Sequence, residues 1–156
     1  MKNGKLNFNP TMLILDTHIW LWLINGDPKI RNLGFLAAIN NAGRKKSLII
    51  PAICTWEVSM LVSKNRIKLE GNTLDWINKA LSAPGTTLCP LTPDIAYDSV
   101  NLPGNFHGDP ADRMIVASAR ILNGTLITFD KKILEYSEEG YVKVLKPHPL
   151  SSLLTS

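Results

Sequence analysis

Met12-Leu13-Ile14-Leu15-Asp16-Thr17-His18 is the stretch whose reading decides the fold. Its first four residues form an unbroken apolar run, the pattern of a strand buried on both faces. A carboxylate closes the run, and a helical pattern follows. The same punctuation recurs near the other end of the chain, where Thr125-Leu126-Ile127-Thr128-Phe129 runs straight into Asp130. Ser47-Leu48-Ile49-Ile50 is a third apolar run, Thr86 to Leu91 a short strand, and Tyr141 to Leu145 a last one.

Helical patterns fill the intervals. The first covers roughly 17–25 and stops at the turn signal Gly26-Asp27-Pro28; the second covers roughly 28–43 and ends at Gly43. Pro51 opens a helix over roughly 52–64, and another covers roughly 73–83, closed by Pro84-Gly85. Thr92-Pro93-Asp94 and Asp109-Pro110 are helix-start signals with a capping side chain before proline, the latter helix stopping at Asn123-Gly124. Strands alternating with helices predict an α/β fold, a three-layer α/β/α sandwich around a central parallel sheet. In such folds ligands gather outside the carboxyl ends of the strands, where Asp16 and Asp130 fall.

A chain of 156 residues fits one domain, set here at 12–146. Residues 1–11 read as a flexible N-terminal extension and 147–156 as a C-terminal tail, with Met12 an alternative start. With 45% hydrophobic and 19% charged residues, the composition excludes a disordered chain. Cys54 and Cys89 form no C-x-x-C pair, which fits a reduced, cytoplasmic protein and argues against a zinc site or disulfide framework. The apolar stretch Met12 to Ile24 is too short to span a bilayer and contains Asp16 and His18, so no membrane association is expected. A net charge of +4 is compatible with a polyanionic partner.

Among thirteen acidic residues, most have surface or turn explanations. Asp27 sits in a turn, Asp94 in a first helical turn, Asp75 and Asp98 on solvent faces, and Glu135, Glu138 and Glu139 in a solvated polar stretch. Four acids fit less easily. Asp16 and Asp130 end buried strands, although either could simply cap the helix after it. Glu57 shares a helical face with Ile53, Met60 and Leu61, where a carboxylate needs an ion-pair partner, a route to water, or a site. Asp112 heads a stripe continued by Ile115, Val116 and Ala119, with a dipole interaction at the helix N-terminus as its other explanation. Asp109, before Pro110, is the natural N-cap.

Gathered together, four carboxylates would raise one another's pKa values, and a divalent cation would relieve the repulsion. Oxygen donors without a His or Cys cluster at metal spacing favour Mg²⁺ or Mn²⁺ over zinc. An acidic metal pocket in a basic protein suits phosphodiester hydrolysis, with lysines and arginines holding the backbone.

At these residues the chain resembles a known family. Leu15-Asp16-Thr17-His18 after a strand, Thr55-Trp56-Glu57 in a helix, His107-Gly108-Asp109-Pro110-Ala111-Asp112-Arg113 opening a helix, and Thr128-Phe129-Asp130 after a strand look like PIN domains. Among these the chain is most similar to the bacterial toxin ribonucleases of the VapC type. The resemblance covers about 12–146 and rests on the order and spacing of motifs that are individually short. It implies the PIN α/β/α sandwich, with Asp16, Glu57, Asp112 and Asp130 in the acidic positions. By the same resemblance, Asp16 and Asp112 would be the most direct metal ligands, and Glu57 and Asp130 would act through waters or a second metal. The implied reaction is endonucleolytic cleavage of RNA by metal-activated water, without a covalent protein intermediate. The implied partners are the RNA substrate, a cognate antitoxin and a second copy of the chain in a homodimer.

Around the acids, Asp109, Thr17, Thr55 and Arg113 are supporting or substrate-contact candidates. Thr17 and Thr55 could hydrogen-bond a carboxylate or be ordinary polar residues near a helix start; Arg113 could reach a phosphate or pair with Asp109. His18 and His107 are assigned solvent-facing or hydrogen-bonding roles, because the oxygen cluster needs no imidazole. Arg44-Lys45-Lys46 and Lys64 to Lys68 are either RNA contacts or solvated charge, and Trp20, Trp22, Trp56 and Trp76 are read as core or interface residues. A haloacid-dehalogenase-type phosphatase would need a second Asp where His18 stands, and a phospho-receiver's arrangement of acids is missing. The rival reading is a PIN-like module that binds RNA or protein without catalysis.

Overall fold

The computed structural model describes residues 12–148, so the N-terminal extension and the C-terminal tail beyond His148 lie outside the described residues. Five short strands form one parallel sheet: β1 (Leu13–Leu15), β2 (Leu48–Pro51), β3 (Thr86–Cys89), β4 (Thr125–Ile127) and β5 (Lys143–Leu145). Their order across the sheet is β3-β2-β1-β4-β5. The apolar run at Leu13–Leu15 is the central strand, flanked by β2 and β4 and completely buried, as a strand covered on both faces must be.

That order locates the site. From β1 the chain steps outward to β2 and β3, then returns to lay β4 on the other side of β1. The connections therefore diverge between β1 and β4, and a crevice opens beyond their carboxyl ends. Asp16 follows β1 directly, its N–H bonded to the Ile127 carbonyl of β4 at 3.0 Å. Asp130 follows β4 after two further residues.

The helices are α1 (Thr17–Ile24), α2 (Lys29–Asn32), α3 (Leu36–Arg44), α4 (Ala52–Ser63), α5 (Thr73–Leu81), α6 (Pro93–Val100), α7 (Pro110–Ile121) and α8 (Lys131–Ser137). They complete the three-layer α/β/α sandwich, with α7 packed on α6, α4 and β4. The core joins Ile14, Leu15, Ile50 and Leu126 of the sheet to Ile19, Trp20, Val58, Ile115 and Val116 of the helices. Trp20 is buried and meets Trp76 edge-on at 5.4 Å. Among the described residues, no helix is long and apolar enough to cross a membrane.

Several expectations need correction. The helix expected over 28–43 is two helices, because Gly34 takes φ +77° and breaks the ladder between α2 and α3. The strand expected over 125–129 stops at Ile127, since Thr128 turns its hydroxyl to Asp16. A helix follows Asp130 where only a polar stretch was read: Glu135 and its neighbours are solvated, but Ile133 and Tyr136 bury one face of α8. Asp98, expected on a solvent face, pairs with Arg120 through two contacts of 2.9 and 3.3 Å that tie α6 to α7. At the end of α7 the left-handed residue is Asn123, φ 50°, while Gly124 is needed for space, since a Cβ there would collide with the Ile14 side chain and stand 2.7 Å from the Met12 carbonyl.

Candidate active site

Local capping chemistry builds the site. Asp16 Oδ1 accepts the Thr17 N–H at 2.8 Å at the start of α1, Asp109 Oδ1 accepts the Asp112 N–H at 3.0 Å at the start of α7, and Asp130 Oδ1 accepts the Ile133 N–H at 3.0 Å at the start of α8. Each bond satisfies an orphan helix donor and fixes the carboxylate's direction. The expected N-cap role of Asp109 is thus observed. The capping reading of Asp16 and Asp130 does not compete with a site reading, because both acids also line one cleft with Asp109 and Asp112.

The cleft has a volume of about 600 Å³ and is also lined by His18, Trp22, His107, Phe129, Lys131 and Lys132. Within it, donor atoms of His107, Asp112 and Asp130 lie within 4.8 Å of one another. Asp16 is buried against this cluster, its Oδ2 accepting the Thr128 hydroxyl at 2.6 Å. Glu57 is outside the cleft lining and joins the network through Thr17, whose hydroxyl donates to its Oε1 at 2.6 Å. The buried stripe of α4 is Cys54, Val58 and Leu61, so Glu57 stands half-buried at that stripe's edge.

The electrostatics match the crowding. Burial, reinforced by the neighbouring Asp109, Asp16, Asp130 and Glu57, pushes the Asp112 carboxyl up to about 7. Burial also raises Asp16, partly offset by the bonds from Thr128 and Thr17, and raises Glu57, partly offset by Thr17. These groups resist ionising together.

His107 takes the hydrogen-bonding role expected of it. Its Nδ1 accepts the Asp109 N–H at 3.3 Å, which places the ring proton on Nε2 in the neutral form. That nitrogen is buried 3.2 Å from Asp112 Oδ2, aligned too poorly for a hydrogen bond. In this tautomer that buried nitrogen carries the proton and has no lone pair for a cation; it becomes a ligand only if the proton moves to Nδ1 and the Asp109 bond is given up. The structure thus places an imidazole beside the carboxylates of Asp112 and Asp130. His107 sits three residues after Pro-Gly and two before the N-cap, and that proximity to Asp112 was its only sequence signal.

Other candidates fall outside the cleft. The Thr55 hydroxyl donates to the Ala52 carbonyl at 2.7 Å within its own helix and touches no carboxylate. Arg113 neither pairs with Asp109 nor faces the cleft; its guanidinium donates to the carbonyls of Ser99 at 2.7 Å, Phe106 at 3.0 Å and His107 at 3.2 Å. It clamps the loop that carries His107. Arg44-Lys45-Lys46 precede β2, and Lys64 to Lys68 follow a helix that runs back from the carboxyl edge of the sheet, so both groups lie away from the acids. The cations lining the cleft are Lys131 and Lys132. Trp22 packs against the core, as expected, and also lines the cleft, whereas Trp56 is 55% exposed and lies outside the core.

An open parallel sheet with acids converging at its switch point defines the class: an α/β/α protein with a carboxylate-rich, metal-type cleft. The chain belongs to the PIN domain family, whose model matches residues 13–139. A curated relative, Ribonuclease VapC22 of Mycobacterium tuberculosis, is 32% identical over 134 residues, spanning 86% of this chain and 98% of that protein. Among solved structures, VapBC2 from Rickettsia felis bound to a promoter DNA fragment superposes with a TM-score of 0.65 at 18% identity, covering 87% of this chain and 98% of that one. FitAcB from Neisseria gonorrhoeae gives 0.61 at 20% identity, with the same coverage. At those identities the two structures establish the fold.

Proposed function

We propose that this protein is a metal-dependent endoribonuclease, the toxin of a toxin–antitoxin pair, which hydrolyses RNA phosphodiester bonds. The observation that carries the reading is the convergence of Asp16, Asp112, Asp130 and His107 in one cleft, with three donor atoms within 4.8 Å. The ribonuclease name of the curated relative supports the substrate class.

Asp112 and Asp130, joined by His107 once its ring proton shifts to Nδ1, would hold a divalent cation, Mg²⁺ or Mn²⁺ by the predominance of carboxylate donors. When bound, such a cation supplies Lewis-acid polarisation of the phosphate and makes water a competent nucleophile near neutral pH. The chain's own residues supply the rest. Asp16, locked by Thr128 and Thr17, keeps a fixed negative field beside the cluster. Glu57, held by Thr17, completes the acidic set from α4. Lys131 and Lys132 attract the RNA backbone, offsetting repulsion between the acids and phosphate.

The partner reading follows the same line. One structural neighbour is a toxin–antitoxin complex from Klebsiella pneumoniae, which supports a cognate antitoxin for this chain. A homodimer is consistent with exposed apolar side chains such as Tyr97 and Val100 on α6. A cytoplasmic location is consistent with the two free, buried cysteines.

The decisive experiment is cleavage of a mixed RNA pool by antitoxin-free protein with Mg²⁺ or Mn²⁺. Asp16→Asn and EDTA arms serve as controls, and a DNA arm tests substrate class. Cutting that depends on both metal and Asp16 is expected; undiminished cutting by Asp16→Asn would overturn the reading.

A further inference from the structure

The cleft has an aromatic wall for which the carboxylate cluster has no use. Trp22 of α1 and Phe129 both line it, their ring centroids 5.8 Å apart and their planes inclined at 59°. Phe129 is 51% exposed although its chain neighbours on both sides are tied into the site. Thr128 is fully buried, giving its hydroxyl to Asp16 and accepting the Asp130 N–H at 3.0 Å. Both neighbours of Phe129 are therefore held in place while its own ring stands exposed at the cleft.

Its surroundings are those of a nucleic-acid surface. Trp22 carries the Lys29 ammonium 5.0 Å from its centroid and has His18 at 6.3 Å, edge-on, so it is braced from its own side. Lys131 and Lys132, next after Asp130, are exposed and line the same cleft. An open aromatic face beside paired cations is the combination by which proteins hold single strands: rings take the bases and cations take the phosphates.

We propose that Phe129, cornered by Trp22, is the stacking platform for one unpaired base of the RNA strand, with Lys131 and Lys132 holding the adjoining phosphates. The proposal rests on the ribonuclease reading and assigns one base contact within it. A base inside a duplex is already stacked on both faces and offers none to the ring.

The test uses the full chain in EDTA at low salt, so that nothing is cut. The probe is a short single-stranded RNA carrying 2-aminopurine at each position in turn. The expected result is strong quenching at one position by the wild type. Phe129→Ala should abolish that quench and weaken binding roughly ten- to a hundred-fold. Phe129→Tyr should restore both, and Phe129→Leu, which keeps the bulk but not the π face, should restore neither. Trp22→Leu should reduce the quench at the same position. In Mn²⁺, Phe129→Ala should raise KM far more than it lowers kcat. Quenching spread evenly over all positions, or wild-type binding by Phe129→Leu, overturns the proposal. Unchanged RNA binding by Phe129→Ala with lost capture of a co-expressed antitoxin also overturns it and reassigns the wall to a protein partner. A wild type that cuts RNA without a localised quench defeats the platform alone. Localised quenching by a chain that cuts no RNA with either metal defeats the nuclease reading alone.

Discussion

The hydroxyl of Thr17 donates to Oε1 of Glu57 at 2.6 Å, while the Thr17 N–H donates to Oδ1 of Asp16, so one residue at the start of α1 aligns acids from two elements. Removing the hydroxyl with Thr17→Val should leave the Glu57 carboxyl higher still, because that bond opposes the upward push of burial. RNA cleavage should fall about ten- to a hundred-fold, with its acid limb displaced to higher pH, whereas Thr17→Ser should stay close to wild type. A pH–rate profile of the three proteins checks this.

Asp112 gives the metal-free protein an unusual stability profile. Its folded-state value of about 7 lies above the ordinary 3.8, so between those values the folded chain holds a proton that the unfolded chain releases. Stability conferred by that protonated state is therefore present at low pH and is lost as pH rises towards 7. In EDTA the urea midpoint should decline across this window, and Asp112→Asn should flatten the decline. Added Mn²⁺ should restore the midpoint at pH 8. A wild-type midpoint rising across the window in parallel with Asp112→Asn would contradict the assignment.

Cation binding should depend on the acids gathered in the cleft. Asp112→Asn should abolish Mn²⁺ binding measured by electron paramagnetic resonance. His107→Ala should weaken it about tenfold, and Thr55→Val should leave it unchanged, since that hydroxyl is committed to Ala52.

Arg113 is predicted to matter for folding. Arg113→Met would strand the carbonyls of Ser99, Phe106 and His107 and should cost about 2–4 kcal/mol in denaturant unfolding, given that hydrogen bonds to charged groups contribute about 1.5–3 kcal/mol each. A loss confined to activity, with stability intact, would contradict this.

Gly124→Ala should destabilise the chain by about 1–3 kcal/mol, because the new Cβ meets Ile14 and the Met12 carbonyl inside the central strand pair. A melting curve suffices to test it.

The centre of the sheet was legible in the sequence because β1, β2 and β4 lie in apolar runs, two of them leading to acids, a signal that needs no knowledge of neighbours. The α2–α3 break was not, since a glycine within a helical pattern can be absorbed or can take a positive φ. Helix α8 was hidden because its buried face consists of only two large residues, Ile133 and Tyr136, among charged ones. Asp16, Asp112 and Asp130 could be singled out because they interrupt or terminate apolar patterns. His107 and Lys131 could not: their roles depend on loops folding over the sheet edge, which leave no periodicity. Arg113 was misread because a guanidinium beside acidic residues in sequence can be turned by its helix to carbonyls elsewhere.

Three acids of the cleft, Asp16, Asp109 and Asp130, also terminate helices, and this shapes how the protein can be disarmed. Alanine at any of them removes a helix cap together with a negative charge, so a genetic screen for harmless alleles would recover many chains that are silent because they are degraded. Asparagine keeps the capping oxygen while deleting the charge. Inert but well-folded forms, still able to occupy whatever the intact protein binds, are therefore to be sought among the asparagine alleles.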